Sequence, residues 1–359
     1  MKKILTSLLI PAALFLLTAC SEKFNVAAPY KNITVIYGLL DKRDTAHYIR
    51  IQKAFLDQNK SALTMAKDPD SNFYNSLNVS MRLINTYDES IYQTIPLKRV
   101  DLDLEGYPKQ AGTFFNAPNY AYKFTNPLNT NYNYRLIVTN PATGETDSSE
   151  TPVIEDVDNT VFHVPIAGDD TNLNLQGMDF SSTNQYRYFD IYGNYNYGSN
   201  NNPIGLLQCF IRFNWKDSSI TTGALTSHYY DYDLGTQALG STGFDFQPKD
   251  LDLYSAVAVG LGTPADNFTV RLLDRCDIFI YAGTNDFNSY LQAASIAGTG
   301  LTGNEVEPTY TNIKGANVIG LFTSRGYRNG KITITPGTIS ALQSNSITSN
   351  TRIVGTVYH

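Results

Sequence analysis

The stretch NYNYRLIVTNPATGETDSSETPV, residues 131–153, decides the fold. Tyr132, Tyr134, Leu136 and Val138 alternate with other residues, so a period of two places them on one face of a strand. Asn140-Pro141-Ala142-Thr143-Gly144 supplies turn chemistry, and a second extended run leads to Val153. Strand, turn and strand in this pattern fit the end of an immunoglobulin-like or fibronectin-like sandwich. Upstream, ITVIYGLL (Ile33–Leu40) and AHYIRIQKAFL (Ala46–Leu56) flank a DKRD turn. In SLNVSMRLIN, Leu77, Val79, Met81 and Leu83 share one face. Ser61 caps a brief helix candidate, ALTMAK. The polar, acidic TPVIEDVDNT (Thr151–Thr160) reads as a boundary. The expectation is a mainly β chain: an immunoglobulin-like sandwich over 30–153, then a second β-rich domain over 160–359 with one or two short helices.

Within that second part, QYRYFDIYGNYNYGSNNNP (Gln185–Pro203) puts Tyr186, Tyr188 and Tyr192 on one face and Phe189 and Ile191 on the other. GSNNNP offers a turn, and Leu207, Cys209, Ile211, Phe213 and Trp215 then form an apolar row. Gln208, Arg212, Asn214 and Lys216 lie opposite, with Phe210 the exception. The two runs read as a hairpin whose apolar sides join the core. The tyrosine row has two readings: a platform on which sugar rings stack, or cross-strand packing, at which tyrosine is equally good. Farther on, Phe287, Tyr290, Leu291 and Ala294 have helical spacing after Thr284.

The N-terminus reads as an export signal. Lys2 and Lys3 precede a mostly apolar run, Ile4–Leu17, too short and wrongly flanked for a membrane span. Leu17-Thr18-Ala19-Cys20 has the form of a bacterial lipobox. Residues 1–19 are therefore expected as a lipoprotein signal peptide, Cys20 as the lipidated residue and 20–29 as a tether. Several acyl chains anchor a protein stably where one does not. Cleavage would leave 25 of the 27 basic residues against 33 acidic ones. That balance disfavours nucleic acid and offers no polybasic surface to anionic lipid. An oxidising compartment permits a disulfide between Cys209 and Cys276; the alternative is two separate buried thiols.

Chemistry-bearing motifs are sparse. The four histidines are scattered, without metal spacing. Asp101/Asp103, Asp231/Asp233 and Asp250/Asp252 recur two apart, about 6–7 Å on a strand, within the range that glycosidases use. Solvated acidic edges produce the same spacing. Asp68-Pro69-Asp70-Ser71-Asn72 matches the start of a calcium loop, but Phe73 stands where glycine belongs and Val79 where the bidentate glutamate belongs. A polar turn is the competing reading for Asp68, Asp70 and Asn72. No catalytic residue and no cofactor is expected.

Four stretches together carry a resemblance: the lipobox, VIYGLLDKRDTAHYIRIQKAFL, YRLIVTNPATGETDSSETPV and EPTYTNIKGANVIGLFTSRG. In this order they resemble the Bacteroidetes outer-membrane lipoproteins of domain-of-unknown-function family 4249. Pro308, Asn312, Ile313, Gly315, Gly320 and Phe322 fit the C-terminal pattern of that family, while Ala316 and Asn317-Val318-Ile319 depart from its glycine-rich core. The resemblance implies a sandwich followed by a second β-rich domain, and a place beside TonB-dependent receptors. The expected protein is thus a non-enzymatic lipoprotein held on the outer membrane by its lipid, periplasmic or surface-facing, accessory to uptake. The alternatives are a surface glycan-binding lipoprotein of SusE/SusF-like layout, using Tyr186, Tyr188 and Tyr192, and an extracytoplasmic hydrolase.

Overall fold

The computed structural model describes residues 33–54, 61–154, 178–181, 191–193, 204–238, 244–297 and 310–357. The signal peptide, Cys20 and the tether lie outside the described residues. In chain order the elements begin with β1 (Ile33–Asp41), β2 (His47–Ala54), α1 (Ala62–Ala66) and α2 (Pro69–Asn72). Then come β3 (Asn78–Asn85), β4 (Ile91–Pro96), β5 (Lys98–Asp101), β6 (Tyr120–Phe124), β7 (Tyr132–Thr139) and β8 (Thr146–Thr151). The second half carries β9 (Ile191–Gly193), β10 (Ile204–Ser219), β11 (Leu225–Ala238), β12 (Phe244–Phe246) and α3 (Asp250–Leu261). It ends with β13 (Thr269–Thr284), α4 (Asn285–Ala297), β14 (Val318–Ile332), α5 (Pro336–Ser344) and β15 (Ile353–Thr356).

The chain is mainly β and sandwich-like. The strand–turn–strand that opened the reading is present as β7 and β8, which join β3 and β4 in a four-stranded sheet ordered β4-β3-β7-β8. The alternating residues point inward as expected: Val79, Met81, Leu83, Tyr134, Leu136 and Val138 are buried. Tyr134 buries its ring completely and accepts a hydrogen bond from the Asn129 N–H (2.9 Å) on its hydroxyl, which removes the cost of burying that oxygen.

The second sheet crosses the expected boundary. It runs β11-β10-β13-β14-β1-β2-β6-β5, with β15 pairing β13. β1 is parallel to β14, so residues near the two ends of the described chain are neighbours. The segments 30–153 and 160–359 thus share one sheet and are not two separately built β domains. Two cores form, but the expected boundary does not divide them, because Ile313, Val318 and Phe322 join the first core. Val153 belongs to a core formed with the four-stranded sheet, and Ile154 to a second core beneath β10 and β13. α3 and α5 cover that second core with Leu253, Tyr254, Val257, Ile339 and Leu342. Register places both cores on the same face of the long sheet.

Two close approaches lock the crossing. Gly320 has φ +131°, and a Cβ there would lie 1.9 Å from the Ile36 carbonyl oxygen. Asn312 donates to the Phe322 carbonyl (2.7 Å) and accepts from the Phe322 N–H (3.0 Å), imitating a strand neighbour. The residues that carried the family resemblance here, Asn312, Ile313, Gly315, Gly320 and Phe322, therefore sit at packing positions. Pro308 lies outside the described residues.

Two expectations about the second half are corrected. The described part of the Gln185–Pro203 run does not pair with β10. That part, β9, pairs with β12, while β10 has β11 on one side and β13 on the other. Ile191 nevertheless enters the same core as Ile211 and Phe213. The disulfide does not form, and Cys209 and Cys276 are free and buried. Cys209 lies opposite Ile280, and Cys276 opposite Phe213. Four residues of offset is about 13 Å along a strand, against the roughly 7 Å that a disulfide spans between Cα atoms. Burial pushes both thiols well above their ordinary pKa.

Candidate functional site

The other face of the long sheet carries the chemistry. Strand alternation turns Gln208, Phe210, Arg212 and Asn214 of β10 away from the core. Register sets Tyr281 beside Gln208 and Phe279 beside Phe210, with Tyr327 opposite Tyr281 and Arg325 opposite Gly283. On β1 the same face shows Tyr37 and Leu39. α4, the helix that the spacing of Phe287, Tyr290, Leu291 and Ala294 predicts, lies against this face. The Thr284 hydroxyl accepts from the Phe287 N–H at its start (3.3 Å). Gly283 and Gly205 admit the helix: a Cβ on either would lie 2.5 Å from Phe287 or Asn285.

Phe287 and Leu39 separate two cavities of about 430 Å³ each. The first is walled by Leu39, Leu206, Leu291, Phe210, Phe279, Tyr281 and Phe287, with Gln208, Arg212, Asp231 and Arg325 among the rings. The second is walled by Tyr37, Tyr48, Tyr290, His47 and Arg50 among others. Burial and contact with Tyr290 push the Tyr37 hydroxyl up to about 12. Burial holds His47 below its usual pKa, against the field of Asp44.

The charged groups of the first cavity are held by named partners. Arg212 meets Asp231 with two parallel bonds, Nε to Oδ1 (2.6 Å) and Nη2 to Oδ2 (2.8 Å). Its guanidinium carbon lies 4.1 Å from the Tyr229 ring centre and 4.8 Å from that of Phe279. The carboxylate beside it raises the Arg212 pKa further. Asp41 is 1 % exposed and accepts from Arg43 (2.8 Å) and from Arg325 Nε (2.9 Å). Burial alone would raise its pKa, but the bonds from Arg43 and Arg325 hold it below the usual carboxylate range. Arg43 in turn stacks 3.8 Å from the Tyr327 ring centre.

Of the site residues expected from sequence, none stands in this cavity except Asp231, and it is chelated by Arg212. Tyr186 and Tyr188 lie outside the described residues; Tyr192 is placed in β9 by its backbone alone. The calcium-like stretch is a helix cap. Asp68 accepts from the Asp70 N–H (3.1 Å) and the Ser71 hydroxyl (2.7 Å). The buried Asn72 amide donates to the Met65 and Asp68 carbonyls (3.0 and 2.8 Å). Asp68, Asp70 and Asn72 thus serve α2 instead of a cation loop. Among the described residues no cluster of three His, Cys, Asp or Glu side chains suits a metal ion. Asp101 and Asp103 are bonded to Asn119, Asp233 to Gln208 and Gly235, and Asp250 is buried at the start of α3. The sequence reading missed this cavity; the one signal that could have found it is Phe210, the aromatic residue that breaks the polar row.

No protein-family model matches the chain, and no curated protein does. Among the described residues no helix is long and apolar enough to cross a membrane.

Proposed function

We propose that this chain is a non-enzymatic outer-membrane lipoprotein, anchored through Cys20, that serves as a binding component beside a TonB-dependent uptake system. The observation that supports a binding role is the first cavity. It is concave, mostly apolar and of small-molecule size, with a few oriented polar groups, between a helix and a sheet. The lipobox and the family resemblance support the location and the uptake setting. The carboxylate pairs lend a hydrolase no support, because Asp101 and Asp103 accept from Asn119, Asp231 from Arg212 and Asp233 from the Gly235 N–H. The glycan alternative would rest on Tyr186, Tyr188 and Tyr192, whose side chains are not described.

The test is affinity purification of the tagged, lipidated protein from gently solubilised outer membranes. A stoichiometric TonB-dependent barrel is the expected companion. Recovery of the protein alone would overturn the uptake setting, and retention of Cys20→Ala in the membrane fraction would overturn the anchor.

A further inference from the structure

The chemistry of the first cavity narrows what it holds. The inference rests on the reading of that cavity as a binding site. Eight of its walls are apolar or aromatic: three leucines, three phenylalanines, Ala282 and Tyr281. Its charged walls are two arginines and one aspartate, a surplus of one positive charge. Arg212 is not the source of that surplus, because Asp231 occupies it through both Nε and Nη2. Arg325 is different. Asp41, its register partner on β1, takes only its Nε and is shared with Arg43. Among the described residues the Arg325 guanidinium makes no other hydrogen bond, so Nη1 and Nη2 remain as a pair of donors at an apolar wall. Asp277, across from Arg212 but not in the cavity wall, accepts from Asn214 (3.0 Å).

A planar two-nitrogen fork with its base fixed matches a carboxylate, which it binds through two parallel hydrogen bonds. A dianionic phosphate would exceed the single surplus charge. An uncharged ligand seated there would displace water from those donors without supplying an acceptor, which is costly. We infer that the cavity binds an apolar monocarboxylate, its acyl or aryl body among Phe210, Phe279, Phe287 and Leu291 and its carboxylate on Arg325.

Calorimetric titration of the soluble chain from residue 30 onward tests this with three probes: decanoate, 2-naphthoate and, as the neutral control, decanol. Arg325→Met should weaken the carboxylates at least about tenfold, the loss expected for a charged hydrogen-bonded partner, and leave decanol unchanged. Arg325→Met also removes a partner of Asp41, so a second pair of variants avoids that ion pair. Leu291→Lys and Leu291→Glu lose the same leucine on the helix wall and differ in sign. The lysine variant should bind decanoate at least about tenfold tighter than the glutamate variant. Preference for decanoate or for 2-naphthoate separates an acyl from an aryl ligand. Equal binding of decanol and decanoate, or no difference between the two position-291 variants, would overturn the carboxylate and leave the cavity as a site. Absence of binding by all three probes would overturn the cavity reading itself.

Discussion

The two faces of β10 are built from alternate residues of one run, and they obey different rules. Inward, Leu207, Cys209, Ile211, Phe213 and Trp215 are all buried, and none has a charge to satisfy. Outward, Gln208, Phe210, Arg212 and Asn214 stay partly open and are tied to Asp233, Tyr281, Asp231 and Asp277 of the flanking strands by hydrogen bonds, an ion pair and a ring contact. The inner face gains its stability from water exclusion, which scales with apolar area. The outer face is held by directional contacts between half-exposed groups, each worth little to folding. A strand of this kind can change its outer row with small loss of stability, which suits a binding surface.

The comparison breaks most easily at its two phenylalanines. Phe213 is fully buried and meets Phe180 edge-on. Phe213→Ala should cost about 3–5 kcal/mol in urea unfolding. Phe210 lies three residues earlier on the outer face, and Phe210→Ala should cost well under half of that. Equal losses would mean that the outer face is a third core.

Asp41 comes next. It is a buried charge that bridges two arginines, Arg43 and Arg325, on the outer face. Asp41→Asn should cost about 2 kcal/mol at pH 7, the scale of hydrogen bonds to a charged group. The folded-state pKa is depressed, so this stabilisation is present above the unfolded-state value of about 3.9 and is lost as pH falls through the lower folded value. The gap between wild type and Asp41→Asn should therefore close on acidification below about pH 4. Acid titration of both proteins by circular dichroism checks the sign, and a gap that widened in acid would contradict it.

The smallest effect belongs to Arg212→Met. The arginine is partly exposed, so loss of its pair with Asp231 should change stability by under about 1 kcal/mol. Thermal unfolding of Arg212→Met measures this, and a larger loss would make Arg212 a structural residue of the sheet.

Alternation made both rows of β10 legible in the sequence, as it did for Leu77 to Leu83 and for Tyr132 to Val138, because a period of two is a local property. The neighbours of those strands were not legible. β1 meets β14 through pairs such as Asp41 and Arg325, and no local pattern encodes a partner that distant. The partners of β9 and β10 differ from the expected hairpin for the same reason: turn residues favour a turn but do not choose between β11, β13 and β12 as partners. α3 was missed because its exposed stripe, Asp252, Ser255 and Val259, includes an apolar residue, so DLDLYSAVAVGL shows no clean polar face in sequence. The cavity draws Arg212, Asp231, Phe279 and Arg325 from four strands, so it has no motif in one dimension.

The most direct test uses two adjacent leucines. Leu206 lines the cavity and Leu207 lies in the core beneath it. Methyl-labelled leucine NMR during titration with decanoate should shift Leu206, Leu39 and Leu291 and leave Leu207 in place. Shifts at Leu207 with none at Leu206, or no shift at any of the three cavity leucines, would contradict a binding site on the outer face.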